Sequence, residues 1–128
     1  MPRLTDVNEL FLRHLAGLLE LPTRLARSND VPRHARTATE RLIEICQAKG
    51  ASVYVTGPAA RAYIDASQFA DAGIELFYAN YSLYPAYDQG TEIFDHHTSL
   101  LDTLFNCGPD TRGHLKSLQD RSTFLDSG

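Results

Sequence analysis

The feature that most constrains the fold is a nearly unbroken apolar run, Ala51 to Thr56, that leads directly into Gly57-Pro58. Strands that are apolar on both sides are typical of parallel sheets whose faces are covered by helices. Proline suits the first position of a helix, because its missing N–H would have no partner there. The run therefore predicts a central strand that is followed at once by a helix.

Strand and helix patterns alternate on both sides of this run. Apolar residues at helical spacing predict helices over about 6–20, 36–49 and 58–72, the last broken near Asp65, and one more from Ser99 to Asn106. Two short runs predict further strands over 23–27 and 74–79. This order predicts an α/β fold, with a small three-layer parallel sheet of about three strands and helices on both faces.

The length, hydropathy and charge of the sequence favour one soluble domain. The 128 residues suit a single domain, which we place at 1–116, followed by a flexible polar tail at 117–128. No apolar run approaches the roughly 18 residues of a membrane span. A net charge of -4 with only two lysines offers no positive surface for nucleic acid. The start lacks the apolar centre of a signal peptide, so we expect a cytoplasmic protein.

The sequence contains no pattern that calls for a metal or a cofactor. Cys46 and Cys107 lack the spacing of metal ligands, and both lie in helix-like surroundings. We therefore expect a site without metal or cofactor.

Parallel strands bring the loops at their carboxyl ends to one edge, where α/β proteins usually bind ligands. That edge would gather Ser28 to Asp30, Thr56-Gly57-Pro58 and the loop that begins near Tyr81. Free N–H groups at the Gly57-Pro58 helix start could hold an anion. The three-glycine fingerprint and the phosphate-loop lysine are absent, so a plain packing turn is an open alternative.

A long loop from Asn80 to His97 is rich in tyrosine. Tyr81, Tyr84 and Tyr87 recur three apart, but Pro85 argues against a regular helix. Tyrosine offers a flat apolar face and a hydroxyl, which suits a sugar and equally suits packing of the loop on its own sheet. The three tyrosines and Gln89 of the same loop are candidate ligand-binding residues.

Asp95-His96-His97 places a carboxylate beside two imidazoles, a combination that can act as a general base. In an extended segment the two histidines would point to opposite sides, so at most one would face a cleft and a shared metal is not expected. The candidates for proton transfer are Asp30, Asp95 and His96. A surface or capping role is the alternative.

Three segments together resemble the C-terminal half of the WbqC-like protein family in order and spacing: Val53 to Asp65, Tyr84 to Gln89, and Thr98 to Pro109. The resemblance covers about Asp6 to Gly108. It implies a protein of bacterial surface-polysaccharide (O-antigen, lipopolysaccharide) biosynthesis, with a suggested transferase role that attaches an acyl or aminoacyl unit, such as glycine, to a sugar. Members usually open with a segment containing His-Gln-Pro, which this sequence lacks, so we expect that segment to be missing.

Two classes of function are consistent with these residues. The first is an acyl or aminoacyl transferase that binds a sugar or nucleotide-sugar. In it the Gly57-Pro58 helix start holds an anionic group, the tyrosines stack on the sugar, and one of the proton-transfer candidates deprotonates the acceptor. The second is a noncatalytic sugar-nucleotide or protein-binding module, or a truncated fragment of the enzyme whose exposed sheet edge needs a partner. The sequence leaves open whether the chain forms a homo-oligomer.

Overall fold

The computed structural model describes residues 3–81, 84–115 and 125–128. The helices are α1 (Leu4–Leu18), α2 (Ala38–Ala48), α3 (Ala66–Asp71), α4 (Leu100–Cys107) and α5 (Thr111–His114), and the strands are β1 (Val53–Thr56), β2 (Glu75–Ala79) and β3 (Leu125–Ser127). Three 3₁₀ helices lie at Ser28–Asp30, Pro58–Ala62 and Gly108–Asp110. The chain forms two compact units, Met1–Asp30 and Val31–Gly128.

The second unit contains a three-stranded sheet, which confirms the α/β class. Strand β2 lies in the centre and pairs in parallel with β1, so that Val53 lies opposite Glu75 and Thr56 opposite Tyr78. Strand β3 pairs with β2 in the antiparallel direction. The two parallel strands are the ones predicted from the apolar runs at 51–56 and 74–79.

The third strand differs from the prediction in position and direction. Residues 23–27 form no strand and belong to the unit that does not contain the sheet. Strand propensity mostly reflects packing on a sheet, so a short run has no reason to extend without one. Strand β3 instead comes from the segment predicted as a flexible tail, of which residues 117–124 lie outside the described part. Its polar sequence suits the edge position that it occupies.

The core lies on one face of the sheet. Tyr54, Leu76 and Tyr78 point to this face, and Phe69 of α3, which is 0% exposed, stacks on Tyr54 with the ring centroids 5.3 Å apart. Cys46 is buried in the same cluster, so it acts as a small core residue.

The opposite face of β1 carries Val53 and Val55, which are 44% and 46% exposed. Within the described residues, the cover by helices that was expected on both faces does not extend over Val53 and Val55.

The connection from β1 to β2 follows the predicted order with a shorter first helix. Pro58 begins the 3₁₀ helix Pro58–Ala62, and the chain then breaks as expected, because the Asp65 carboxylate accepts a hydrogen bond of 3.0 Å from the Ser67 N–H and caps α3. Gly57 has a φ of -76°, which any residue adopts, so the turn does not depend on glycine. A five-residue 3₁₀ helix also has a small dipole, which weakens the predicted anion site.

None of the described helices has the length and apolar character required to cross a membrane.

Candidate functional site

The tyrosine-rich loop and α4 enclose a pocket of about 460 Å³ in the second unit. No helix or strand occurs in the described residues between β2 and α4, as the sequence predicted. Four aromatic side chains form much of the wall: Tyr81, Tyr84, Tyr87 and Phe94. The volume falls within the range of small-molecule sites, and such sites are commonly lined by aromatic groups with a few polar groups among them. This pocket is our candidate functional site.

A hydrogen bond between Tyr87 and Asp102 fixes the loop on α4. The Tyr87 hydroxyl donates to the Asp102 carboxylate at 2.6 Å and lies 3.1 Å from the hydroxyl of Thr103. The ring packs edge-on against Phe94, with centroids 5.0 Å apart. The loop thus packs on a helix, whereas packing on its own sheet was the alternative considered from the sequence.

The Asp102 carboxylate binds side chains of the loop rather than the backbone at the start of α4. The spacing Ser99-x-x-Asp102 resembles a capping box, and Ser99 does cap α4 by accepting the Leu101 N–H at 3.2 Å. The Asp102 carboxylate instead accepts from Tyr87 and, at 2.9 Å, from the Gln89 amide. These hydrogen bonds lower the pKa of Asp102, and the bond from Tyr87 has the largest effect.

Gln89 closes the loop on itself. Its amide donates to the backbone oxygen of Asp95 at 3.1 Å, and its side-chain oxygen accepts the Asp95 N–H at 2.8 Å. Because both ends of the amide are used, Gln89 positions the Asp95 segment against α4. It is not among the side chains that line the pocket, and its predicted direct contact with a ligand stays a prediction.

Asp95 and His97 form a pair at the pocket. The Asp95 carboxylate accepts the backbone N–H of His97 at 2.8 Å and lies 3.1 Å from its ring Nδ1. The hydrogen bonds from the His97 backbone and ring lower the pKa of Asp95, so the carboxylate is ionised and can only accept. The contact therefore favours a proton on Nδ1, and in the neutral ring this tautomer has its lone pair on Nε2. This is the arrangement of a general base oriented by an acid.

Both neighbouring histidines line the pocket, although the sequence indicated that only one would. The prediction assumed an extended segment, whereas His96 and His97 lie in a turn. His96 packs edge-on against Phe94 with centroids 4.6 Å apart. The pair with Asp95 is made by His97, which was not among our candidates. The spacing Asp-x-His was the available signal, since an aspartate readily accepts from the N–H two residues on.

His114 is a second residue that the sequence did not single out. It lines the pocket from α5 and packs edge-on against Tyr87, with centroids 5.6 Å apart. Its Nδ1 lies 3.1 Å from the backbone oxygen of Asp110, which can only accept, so this contact favours a proton on Nδ1. No local pattern connects residue 114 with residue 87, and only the packing of α5 brings them together.

The edge formed by the parallel strands lies beside this pocket. Thr56 ends β1, and a Cβ added at Gly57 would lie 3.7 Å from the hydroxyl oxygen of Tyr81, which itself lines the pocket. Two of the three segments that were predicted to gather at this edge therefore meet: Thr56-Gly57-Pro58 and the loop that begins near Tyr81. Thr56, Gly57 and Pro58 are not among the lining residues, so their predicted contact with a ligand stays a prediction.

Ser28 and Asp30 belong to the first unit and form a 3₁₀ turn. Asp30 accepts the N–H of Arg27 within that turn at 3.3 Å. Ser28 lines a separate cavity of about 610 Å³ in this unit, where Arg13 and Arg27 both pair with Glu9. No strand precedes these residues, so the argument that a strand end brings them to the sheet edge no longer holds.

Among the residues that the structure describes, no group of three or more His, Cys, Asp or Glu side chains could hold a metal ion. Cys107 lies at the end of α4, where burial, followed by the charges of Asp110 and Asp102, raises the pKa of its thiol. A thiol in this environment is a poor nucleophile.

The sequence also matches a known protein family over most of its length. The model of the WbqC-like protein family matches residues 1–114. The chain belongs to the WbqC-like protein family. The tyrosine loop, the Asp95–His97 pair and all the residues that line the pocket except Leu115 lie within the matched range. The expected absence of the family's front segment stays a prediction.

One curated relative comes from Mycobacterium tuberculosis (strain ATCC 25618 / H37Rv) and carries the description "Uncharacterized protein Rv1507c". It is 36% identical to this WbqC-like chain over 113 residues, which is 88% of this chain and 48% of the relative. The chain thus spans about half the length of this relative. No solved structure matches the chain significantly.

Proposed function

We propose that this WbqC-like protein is an acyl or aminoacyl transferase that acts on a sugar in the biosynthesis of bacterial surface polysaccharides. The supporting observation is the position of the Asp95–His97 pair at the rim of a pocket with aromatic walls. Aromatic faces pack well against the apolar faces of sugar rings, and an oriented imidazole can remove a proton from an acceptor. Glycine is the aminoacyl unit suggested by the family resemblance.

In the proposed reaction, the amine or hydroxyl of the bound sugar attacks the carbonyl carbon of an activated acyl ester or thioester. The new bond forms to that carbon, and the bond to the leaving group breaks. His97 Nε2 takes the acceptor's proton and returns it to the leaving group, while Asp95 stabilises the imidazolium that exists between the two steps. Gln89 keeps Asp95 in place through its two hydrogen bonds to the backbone.

The test combines donors, acceptors and a matched pair of histidine variants. Purified protein is incubated with acyl and aminoacyl thioesters and with amino sugars, free or as nucleotide-sugars, and products are identified by mass spectrometry. We expect His97→Gln to lower kcat by about 10² to 10⁴, the usual contribution of a general base. His14→Gln, on an exposed position of α1, should leave kcat unchanged.

Two results would contradict the proposal. Equal activity of the His97 and His14 variants would remove His97 from the reaction. Binding of sugars with no product from any donor would favour the alternative of a noncatalytic sugar-nucleotide binding module. Asp95→Asn tests the orienting role of Asp95 separately from proton transfer by His97. It should lower kcat less than His97→Gln does and leave the KM for the sugar within about twofold.

A further inference from the structure

We infer that the pocket holds the uncharged or amino-bearing sugar ring itself, and that any phosphate or nucleotide carrier attached to the sugar lies outside it. This inference rests on the proposed function and narrows the ligand from a sugar or nucleotide-sugar to its glycosyl unit. It follows from the charges in and around the pocket.

The described lining of the pocket contains no arginine, lysine, aspartate or glutamate. Apart from the aromatic and imidazole groups, it consists of three apolar and three hydroxyl-bearing residues: Pro85, Leu100, Leu115, Thr98, Ser99 and Thr103. Protein sites for diphosphates normally supply an arginine or lysine or an open set of backbone N–H groups. The described lining includes no such cation, so it offers a phosphate little compensation for its lost hydration.

Two carboxylates that the structure describes contact lining residues of the pocket. Asp95 pairs with His97, and Asp102 holds Tyr87, and hydrogen bonds lower the pKa of both carboxyls, so both are ionised at neutral pH. A phosphate in the pocket would therefore meet two like charges, whereas an ammonium group on a sugar would be attracted.

The start of α4 lies at the pocket, and the N–H groups of Leu101 and Asp102 there already have Ser99 as their partner. Ser99 and Leu100 line the pocket, yet the hydroxyl of Ser99 accepts the Leu101 N–H and the Asp102 carboxylate lies in the first turn. A carboxylate in the first turn offsets the positive end of the helix dipole. These groups make the helix start a weaker site for a phosphate than an open helix N-terminus.

The remaining groups suit a sugar ring. Tyr81 and Tyr84 meet edge-on with centroids 6.1 Å apart, so their rings form two differently oriented walls. The hydroxyls of Thr98 and Thr103 and the imidazoles can exchange hydrogen bonds with sugar hydroxyls. Each of these contacts is available to a neutral ligand.

Saturation-transfer NMR at pH 8 tests the inference with four probes on the intact protein. The probes are the methyl glycosides of glucosamine and N-acetylglucosamine, uridine diphosphate, and UDP-N-acetylglucosamine. We expect signals from the glycosides, no displacement of them by uridine diphosphate, and a Kd for the nucleotide-sugar within about threefold of that for the N-acetyl glycoside. That Kd should change less than twofold between 50 and 300 mM salt, because no phosphate is held.

A matched pair of tyrosine variants ties the signals to this pocket. Tyr84→Ala should weaken glycoside binding at least fivefold, whereas Tyr63→Ala, at a position 60% exposed, should not change it. Glycoside signals that survive Tyr84→Ala unchanged would overturn the inference.

The failures of the two proposals can be told apart. Displacement of the glycosides by uridine diphosphate, or a nucleotide-sugar Kd that rises steeply with salt, would overturn the inference and leave the transferase proposal standing. Binding of neither glycosides nor nucleotide-sugar would overturn both, because the pocket would then not be a sugar site.

Discussion

Replacement of Tyr87 by phenylalanine removes one hydroxyl and leaves the aromatic ring in place. The ring contacts with Phe94 and His114 remain, while the 2.6 Å hydrogen bond to Asp102 is lost. A hydrogen bond to a charged group contributes about 1.5 to 3 kcal/mol. Asp102 keeps a donor in Gln89, so the carboxylate is not left without partners and the lower end of that range applies.

A cost of about 1.5 kcal/mol corresponds to roughly a tenfold increase in the equilibrium constant for opening of the loop. Hydrogen exchange followed by mass spectrometry measures this opening directly, in peptides that cover residues 84–99. We expect Tyr87→Phe to exchange about ten times faster in these peptides. The control is Tyr63→Phe, the same chemical change at an exposed position, which should leave exchange as in the wild type.

The pKa of Asp102 provides an independent readout. The hydrogen bond from Tyr87 is the first cause that lowers this pKa, so Tyr87→Phe should raise it toward the ordinary value of 3.8. NMR titration of the carboxyl carbon measures the change. Unchanged exchange in residues 84–99 together with an unchanged pKa would refute the conclusion that this bond fixes the loop on α4.

Two further predictions concern acid and the core. The folded pKa of Asp102 is lowered, so the stability that this carboxylate contributes is present above its ordinary pKa and is lost as pH falls through the folded pKa. The protection of residues 84–99 from hydrogen exchange, corrected for the intrinsic exchange rate, should therefore fall over that pH interval. Protection that persists through the interval would contradict the role assigned to Asp102. Phe69→Ala should lower the free energy of unfolding in urea by about 3 to 5 kcal/mol, because Phe69 is fully buried against Tyr54. Phe105→Ala, at a site 86% exposed, should cost less than about 0.5 kcal/mol, and equal losses would contradict the core assignment.

Local patterns predicted the centre of the fold well. The apolar runs at 51–56 and 74–79 became the parallel pair, and Asp65 breaks the connection between them as expected. These predictions succeeded because a strand apolar on both sides and a side-chain cap each depend on neighbours within a few residues. The third strand depended on pairing with a distant segment, and it came from residues 125–127.

The candidate site was predicted in part. Tyr81, Tyr84, Tyr87 and His96 line one pocket, and Asp95 is paired beside it. The choice of His97 over His96 was missed because it depends on the turn that the segment adopts.

The sequence by itself determined the two parallel strands, the tyrosine-rich loop and the presence of a carboxylate beside histidines, because each depends on residue types at short spacing. Only the tertiary structure decided that Asp102 binds Tyr87, that His114 joins the pocket and that the described lining carries no fixed charge. These features arise where α4 and α5 pack against the loop. The contacts of Tyr87 with Asp102 and His114, 15 and 27 positions further along the chain, depend on how the chain folds back on itself, which no local pattern encodes.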